Sequence, residues 1–426
     1  MFKRNLALLL ILLASLMAMP TLAQETMELP ADCNTVSLEY WNPFTGPDGP
    51  FMGEMVTAFN EANPNIQVTM TTQSEYYTQL STSAASGTLP DVAIVHADQV
   101  ATQVYRNVLR PMDDVIAASG ISSEDFPEAV WNAGHVNEAH YTIPLDIHPM
   151  TMFVNMDLLS SAGMEAAPVT SDEFAAAAAA MTGGDNNGFM VTSGFPIRQI
   201  FEMLLNQYGG SAFNEDGTEV AWNSEAGVKA VQWLLDAQGA YSQPNLEVDA
   251  ELNAFKGGTV GMVWNGIWQT TNVTGEGVFF KGMATAVPQI GDQPAVWAGS
   301  HQLALPSQAD EDPCRDTAAG IFIKYLVDNS VTWSRAGQLP ASSVVRASDE
   351  FAEVLPQADI AAGSAEYVFF PPSVPGITDA YGPLDEAVSA LLAGSATDIQ
   401  AELDNAADRA NQILEQNRAT YTTPSS

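Results

Sequence analysis

In the N-terminal part of the chain, short apolar runs typical of strands alternate with segments whose apolar residues have helical spacing. The runs 36–40, 66–70 and 91–95 are short and β-prone, and they predict three strands. The intervening segments 51–60 and 75–86 carry apolar residues at helical spacing and predict two helices. This strand–helix–strand–helix–strand order is typical of an α/β layered domain with parallel strands.

Segments with strand-like and helix-like patterns continue to the C-terminus, with no internal repeat and no low-complexity linker. An extended segment is predicted at 141–154, where Pro144 and Pro149 oppose a helix. If the chain forms two lobes without a linker, it is expected to cross between them more than once. The other predicted elements are strands at 260–264 and 283–289 and helices at 155–163, 171–180, 198–208, 226–237, 317–336, 384–392 and 398–417.

One segment combines a strand, a tight break and two large aromatic residues. The run 260–264 predicts a buried strand, and Asn265-Gly266 is expected to end it, with the glycine in a conformation that other residues resist. Open α/β sheets place their ligand sites at strand ends, so Trp268 is a candidate to present its ring to a cleft. The alternative is that Trp264 and Trp268 are both buried in a core.

The composition supports two domains of ordinary size. The chain has 426 residues, of which 46% are hydrophobic, and this content argues against disorder. It carries 51 acidic and 14 basic residues and a net charge of −37. A charge of that sign repels nucleic-acid phosphates and anionic lipids, so neither is expected as a partner.

The N-terminus has the pattern of a secretory signal peptide. Lys3 and Arg4 form a basic start, 6–17 is apolar, and Ala23 is a small residue at the end of the segment. Residues 1–23 are therefore predicted to be removed after secretion across the cytoplasmic membrane. The mature protein is expected to be periplasmic or at the cell surface, because no later segment is apolar for long enough to span a bilayer.

Cys33 and Cys314 are the only two cysteines. In an oxidising compartment an even pair is compatible with one disulfide, and two separate thiols are the alternative. Cys33 could instead carry a lipid anchor, although the acidic Asp32 before it is a poor context. Two cysteines this far apart do not form a zinc site.

Common sequence signatures of enzymes are mostly absent from the chain. There is no Gly-x-x-x-x-Gly-Lys-Ser/Thr loop, no Gly-x-Ser-x-Gly elbow and no His-Glu-x-x-His, and the five histidines are scattered. Asp98, Asp146 and His148 are candidate acid–base groups, but nothing supplies a nucleophile or a metal, so simple hydrogen bonding is the favoured interpretation. No catalytic residue, metal site or cofactor is predicted.

Four sequence blocks occur in a fixed order along the chain. They are Tyr-Trp-Asn at 40–42 with Pro-Asn-Ile-Gln-Val at 64–68, Gly-Thr-Leu-Pro-Asp-Val at 87–92 leading to His96, Tyr-Thr-Ile-Pro-Leu-Asp at 141–146 with Phe-Val-Asn-Met-Asp-Leu-Leu at 153–159, and the segment 254–270. Together they resemble the extracellular solute-binding proteins that serve carbohydrate ABC transporters, the family that contains the maltose- and maltodextrin-binding proteins. The resemblance covers nearly all of the mature chain.

The resemblance implies an α/β, two-lobe periplasmic-binding-protein fold of the class II type, with a hinge between the lobes. The implied crossings lie near Leu145, Val287 and Leu339. The implied function is to bind a sugar or oligosaccharide between the lobes and to deliver it, as a monomer and without catalysis, to the membrane permease of an ABC importer. The implied lobes are 34–144 plus 288–339 for the N-terminal lobe and 145–287 plus 340–420 for the C-terminal lobe.

The resemblance also implies particular ligand contacts. Trp268 falls on a tryptophan that stacks on a sugar ring in maltodextrin-binding relatives, and Asp98 falls on an acidic residue that binds hydroxyls. Tyr381 takes the place of a tryptophan in the C-terminal proline-rich block. Three further positions depart from the family. Where the maltodextrin-binding relatives have a glutamate, an aspartate and a lysine, this chain has His148, Phe44 and Thr45.

The chemistry of a sugar agrees with this set. A sugar ring has an apolar face that flat aromatics cover and a rim of hydroxyls that fixed polar groups bind. Neighbouring helical residues face different directions, so only Tyr76 of the Tyr76-Tyr77 pair is placed in the cleft. The predicted ligand-binding residues are Asn42, Phe44, Thr45, Tyr76, His96, Asp98, Asp146, His148, Trp264, Trp268, Trp297, Gly299 and Tyr381.

Two other functions are compatible with the sequence. The same fold could bind a phosphorylated polyol or another small solute, for which Arg198 and Arg346 are the candidate cations. A secreted carbohydrate hydrolase is the third hypothesis, with Asp98 and Asp146 as its carboxyl pair.

Overall fold

The computed structural model describes residues 27–192, 194–242, 249–275, 277–365 and 367–421. The predicted signal peptide, 1–23, lies outside these residues. None of the described helices has the length and apolar character needed to cross a membrane.

The described residues form strands and helices in mixed order, numbered here along the chain. The strands are β1 (Val36–Asn42), β2 (Ile66–Thr72), β3 (Val92–His96), β4 (His135–Val136), β5 (Ala139–His140), β6 (Thr142–Pro144), β7 (Asp146–Asn155), β8 (Asn187–Met190), β9 (Val260–Gly266), β10 (Gly282–Ala286), β11 (Val296–Gly299), β12 (His301–Ala304), β13 (Leu339–Pro340) and β14 (Val368–Phe369). The α-helices are α1 (Gly49–Ala62), α2 (Tyr76–Ser86), α3 (Val100–Tyr105), α4 (Asp113–Ser119), α5 (Glu128–Asn132), α6 (Met156–Ser161), α7 (Ser171–Met181), α8 (Ile197–Gln207), α9 (Glu225–Tyr241), α10 (Ala250–Lys256), α11 (Thr270–Thr274), α12 (Pro313–Asp328), α13 (Ser330–Ser334), α14 (Ser343–Arg346), α15 (Asp349–Ala352), α16 (Gln357–Ser364), α17 (Tyr381–Leu392) and α18 (Ile399–Thr420).

The first sheet has five strands in the order β2-β1-β3-β12-β6. β1 is parallel to β2 and to β3, which confirms the parallel arrangement that the N-terminal pattern predicted. β12 runs antiparallel between β3 and β6, because it enters directly from the second sheet and not through a crossover helix. Its register places His301 opposite His96.

The second sheet is built around β7, a strand of ten residues that are all buried. Its order is β14-β11-β7-β9-β8, and β10 and β13 also pair with β7. β9, β10, β11 and β13 are antiparallel to β7, so this sheet differs from the parallel arrangement of β1, β2 and β3. β13 and β11 pair with the first half of β7, and this half therefore lies at the junction of the two sheets.

The chain crosses between the two sheets at segments that lie side by side. Leu145 connects β6 to β7, donates its N–H to the carbonyl of His301 at 2.8 Å and accepts from the N–H of Ala341 at 3.1 Å. A second crossing is at Ser300, between β11 and β12. The crossing expected near Val287 is not made there, because β11 returns to pair with β7 although the predicted boundaries assign it to the N-terminal lobe.

Helices α1 and α12 cover β1 on one face of the first sheet. Phe322 of α12 contacts Phe59 of α1 and Tyr40 of β1, with ring centroids 4.9 and 5.3 Å apart. A disulfide joins Cys33, just before β1, to Cys314 at the start of α12. Of the states that the sequence left open for the two cysteines, the structure therefore contains the bonded pair.

Glu251 of α10 is a buried acid with little compensation for its charge. The residue is 1% exposed, its Oε1 accepts from Asn265 at 3.4 Å, and its Oε2 has no partner among the described residues. Burial raises the pKa of Glu251 from 4.5 in the unfolded chain to about 7. The folded state therefore loses stability as the pH rises from 4.5 to 7, and the full penalty remains above pH 7.

Glu251→Gln is expected to raise the free energy of unfolding by about 2 kcal/mol at about pH 8 and to leave it nearly unchanged at about pH 4. Glutamine keeps the shape of the side chain and removes the charge that the site solvates poorly. Denaturant unfolding at both pH values measures the effect, with Glu415→Gln at an exposed position of α18 as the control. An equal gain at both pH values would contradict the charge explanation.

Candidate ligand-binding cleft

A cavity of about 460 Å³ lies where the two sheets meet. Both sheets contribute to its wall, through the loop after β1, the end of β3, β7, β11, the start of β12 and the turn after β9. Its volume is in the range of sites for small solutes. The lining residues are Pro43, Phe44, Thr45, Gly46, Pro47, Asp48, Tyr77, His96, Asp98, Gln99, His148, Phe195, Arg198, Gln199, Trp268, Trp297, His301 and Gln338.

Trp268 forms an apolar wall of this cavity. The half-buried indole lies on Gly266, where an added Cβ would be only 2.0 Å from the ring. The strand β9 continues through Gly266, whose φ is −72°, so the glycine is needed for space and not for the unusual conformation expected from the sequence. The ring of Phe195, which is 56% exposed, lies 6.1 Å from the indole at an interplanar angle of 29°.

Three histidines meet at the floor of the cavity. His96 ends β3, His148 lies in β7 and His301 begins β12. The imidazole of His301 lies 4.3 Å from that of His148 and 4.9 Å from that of His96, measured between ring centroids. Burial lowers the pKa of His96 and of His148, and the neighbouring imidazoles lower both further, so these two rings are held neutral.

Asp146 lies beneath the histidines and does not line the cavity, which corrects its assignment as a ligand contact. Its Oδ1 accepts from His148 Nδ1 at 3.1 Å and from the N–H of His301 at 2.9 Å. Its Oδ2 accepts from His301 Nδ1 at 2.7 Å and from the indole N–H of Trp333 at 2.6 Å. Burial alone would raise the pKa of Asp146, but these partners outweigh it and hold that pKa well below its usual range.

Arg198, near the start of α8, supplies a guanidinium to the wall of the cavity. It is paired with Glu202 at 2.8 Å and with Asp385 at 3.2 Å, and it lies over the ring of Tyr381 at 4.0 Å. Burial raises the pKa of Asp98, and Arg198 offsets part of that effect. The cation is therefore balanced by acids of the protein before any ligand is present.

Most of the predicted contacts are brought together at these surfaces. Phe44, Thr45, His96, Asp98, His148, Trp268 and Trp297 all line the main cavity. Gly299 and Tyr381 line a smaller adjoining cavity of about 40 Å³, which shares several residues with the main one.

Trp264 lies outside both cavities. It is 1% exposed and stacks on Trp233 with centroids 5.2 Å apart and an interplanar angle of 5°. The assignment of Trp264 to ligand binding is corrected accordingly, since side chains of a strand alternate between faces and this one faces the core of the second lobe.

Asn42 and Tyr76 also lie outside the cavities. Asn42 is fully buried, and its Oδ1 accepts from the N–H of Phe44 and from the hydroxyl of Thr72, which fixes the loop after β1. Tyr76 is buried and donates its hydroxyl to the carbonyl of Trp41. Both residues therefore support the wall of the cleft without reaching a ligand.

Tyr77, Phe195 and His301 are among the cavity residues that were not predicted from the sequence. Tyr76 lies four residues before Leu80, so the two share the buried face of α2. The next residue, Tyr77, points away from that face, and the apolar spacing therefore indicates that Tyr77 faces the cleft. His301 is brought in by the register of β12 with β3, a long-range pairing that no local pattern specifies. Phe195 precedes α8 in an irregular segment, where hydrophobic periodicity gives no signal.

Comparison with known proteins places the chain in a family. The profile of the bacterial extracellular solute-binding proteins matches residues 54–358. The chain belongs to this family. The match begins in α1 and extends to α16, so it includes most of the elements that line the cleft of this solute-binding protein.

Sequence identity to the individual relatives is low. This solute-binding protein is 22% identical over 413 residues to the sn-glycerol-3-phosphate-binding periplasmic protein UgpB of Salmonella typhimurium, with 89% of this chain and 92% of the relative covered. Its fold is shared with the ABC substrate-binding protein Lmo0181 from Listeria monocytogenes in complex with cycloalternan, at a TM-score of 0.77 and 22% identity over 90% of this chain and 100% of the other. An ABC transporter solute-binding protein from Thermotoga lettingae bound with α-D-tagatose has a TM-score of 0.76 at 21% identity, over 89% and 100% of the two chains.

Proposed function

We propose that this protein is the solute receptor of an ABC importer and that it binds a sugar or oligosaccharide in the cleft. The observation that carries the proposal is the half-buried indole of Trp268 inside a cavity whose remaining wall is rich in polar side chains. Two proteins of the same fold, those from Listeria and Thermotoga, are described with a cyclic oligosaccharide and a sugar.

The lining of the cavity matches the two surfaces of a pyranose or furanose ring. Trp268 and Trp297 offer flat apolar surfaces for the C–H face of the ring. Asp98, Gln99 and Gln199 offer a carboxylate and two amides for the hydroxyl rim. The fixed positions of these groups would orient the sugar, while stacking on the indoles would supply apolar burial.

Closure of the lobes would couple binding to transport. The N–H of Gly376 donates to the hydroxyl of Thr102 at 2.8 Å, and Gln99, which lines the cavity, donates to the hydroxyl of Thr378 at 2.7 Å. These bonds join the two lobes directly, so they would break when the cleft opens for solute entry. A ligand that contacts both lobes favours the closed form, and a permease could recognise that form.

The remaining features of the proposal concern the state of the mature protein. It acts as a monomer without catalysis, at the periplasmic side or the cell surface, after removal of residues 1–23. A hydrolytic role for Asp98 and Asp146 is disfavoured because the carboxylate of Asp146 is buried and accepts from four donors of the protein.

Calorimetric titration of the mature protein with a panel of mono- and oligosaccharides tests the proposal. At least one sugar is expected to bind saturably with one site per chain and to raise the melting temperature. Failure of every sugar in the panel to bind would overturn the proposal.

A phosphorylated polyol is the second candidate, favoured by the presence of Arg198 in the cavity and by the relative that binds sn-glycerol 3-phosphate. Two observations weaken it. Arg198 is already paired with Glu202 and Asp385. Arg346 donates to the carbonyls of Pro340 and Ala341 and does not line the cleft cavity. Titration with glycerol 3-phosphate alongside the sugars separates the two candidates.

A further inference from the structure

The three histidines of the cleft have the arrangement of metal ligands. His96, His148 and His301 each offer one nitrogen, and these nitrogens lie within 4.8 Å of one another. Each histidine stands on a different strand, and the strands belong to both sheets. Positions set by paired strands are held more firmly than positions set by loops, so each of the three side chains starts from a well-fixed backbone.

The Nδ1 atom of each imidazole is already engaged by the protein. His148 and His301 donate their Nδ1–H groups to the two oxygens of Asp146, at 3.1 and 2.7 Å. His96 Nδ1 lies 2.6 Å from the hydroxyl oxygen of Tyr77, which also accepts from the N–H of His96 at 2.9 Å. The carboxylate of Asp146 fixes the Nδ1–H tautomer of His148 and His301, so Nε2 of each carries a lone pair. A metal on Nε2 of His96 requires the tautomer whose Nδ1–H donates to the Tyr77 oxygen. No partner for these Nε2 atoms is seen among the described residues.

We propose that His96, His148 and His301 bind a divalent transition-metal ion, with Zn²⁺ as the best match, whose fourth coordination position faces the cavity. Imidazole nitrogens suit zinc and its neighbours in the first transition row, whereas Mg²⁺ and Ca²⁺ prefer oxygen ligands. Zinc bound at about 2.0–2.1 Å in tetrahedral geometry would place the three nitrogens about 3.3 Å apart, which small side-chain rotations can reach from the observed spacing.

The surroundings of the cluster support a bound cation. Asp146 orients two of the rings through Nδ1, and a carboxylate behind a histidine is the usual support for a metal ligand because it fixes the tautomer and strengthens the donor. The buried negative charge of Asp146 would also offset part of the charge of the ion. The His148 ring packs directly against Gly299, where a Cβ would lie 2.1 Å from Nε2, so this ring position requires a glycine.

The open coordination position gives the site its chemical role. Three protein ligands leave one position of a tetrahedral ion for a water molecule or another oxygen donor. Because the cluster lies on the floor of the main cavity, that donor could be a hydroxyl or carboxylate oxygen of the solute. This last step rests on the proposed function, whereas the metal site itself does not.

Titration of the mature, EDTA-treated protein with Co²⁺ and with Zn²⁺ tests the site. Co²⁺ is expected to bind at one ion per chain with a visible absorption spectrum of tetrahedral, nitrogen-rich coordination, and Zn²⁺ is expected to displace it. Absence of saturable binding up to about 100 μM of either ion would overturn the proposal. X-ray absorption of the zinc form should show three imidazoles, and a smaller number would also overturn it.

Variants assign the ion to the cluster. His148→Gln and His301→Gln are each expected to weaken Co²⁺ binding by at least about 100-fold, while His135→Gln, at an exposed histidine outside the cleft, should leave it unchanged. Tyr77→Phe removes the hydroxyl that contacts both Nδ1 and the N–H of His96 and should weaken binding by about 10-fold with an altered Co²⁺ spectrum. Retention of full affinity in His148→Gln or His301→Gln, with the fold verified by circular dichroism, would contradict the assignment.

The proposed metal site and the proposed sugar receptor can be contradicted separately. A protein that binds a sugar in EDTA but takes up no Co²⁺ or Zn²⁺ would overturn the metal site alone. A protein that binds one ion and no sugar would support the metal site and overturn the proposed sugar receptor.

Discussion

Trp268→Ala is expected to weaken sugar binding by about 100-fold while leaving the fold intact. Stacking on a sugar buries one face of an indole, about 100 Å², and at about 25 cal/mol/Å² this contact contributes about 2.5 kcal/mol. A difference of about 2.7 kcal/mol corresponds to about 100-fold in the dissociation constant. Calorimetric titration of the wild type and the variant with the best sugar of the panel measures the change.

Three further variants separate stacking from general damage. Trp268→Tyr keeps a flat ring and should recover part of the affinity, whereas Gly266→Ala keeps the tryptophan but displaces its ring from the position it occupies over the glycine. Phe279→Ala removes an aromatic residue that is 97% exposed and should have no effect. Sugar affinity that is equal in Trp268→Ala and Phe279→Ala would exclude the indole as a stacking surface.

The elements with a clear local period were predictable, and the pairing of distant segments was not. The first three strands and the two helices between them were predicted from short β-prone runs and apolar spacing alone: β1 and β2 alternate over part of their length, β3 is a short, almost wholly buried run, and α1 and α2 each have a buried face. The predicted helix 317–336 is interrupted at Asn329, where α12 ends and α13 begins. The return of β11 to the second sheet depends on pairing with β7, which is far away in sequence, and therefore leaves no local signature.

The residues of the site divide in the same way into those that a local pattern predicts and those that depend on pairing of distant segments. Trp268 was recognisable because a large aromatic after a strand end and a glycine is a local feature. Trp264, only four positions earlier, was misassigned because apolar residues in a wholly buried strand do not reveal which face each occupies. The histidine cluster was missed because its three members converge only through strand pairing between distant segments, and sequence spacing gives no measure of that distance.

Asp146→Ala is expected to lower the free energy of unfolding by about 3–5 kcal/mol, the largest effect on stability predicted here. The substitution leaves four donors without their acceptor: the Nδ1–H groups of His148 and His301, the N–H of His301 and the indole N–H of Trp333. These donors belong to β7, β12 and α13, so the lost hydrogen bonds are those at the junction of the two sheets. Guanidinium unfolding in the presence of EDTA measures it without a contribution from bound metal.

A surface acid provides the matched comparison for this junction. Asp328→Ala removes an exposed ion pair with Lys324 and should change the free energy of unfolding by less than about 0.5 kcal/mol. Because the pKa of Asp146 is held below its unfolded value of 3.8, the contribution of its carboxylate is present above pH 3.8 and is lost as the pH falls through the folded pKa. The deficit of Asp146→Ala should therefore persist at about pH 6 and shrink in strong acid. Equal losses in the two alanine variants at neutral pH would show that Asp146 does not hold the sheets together.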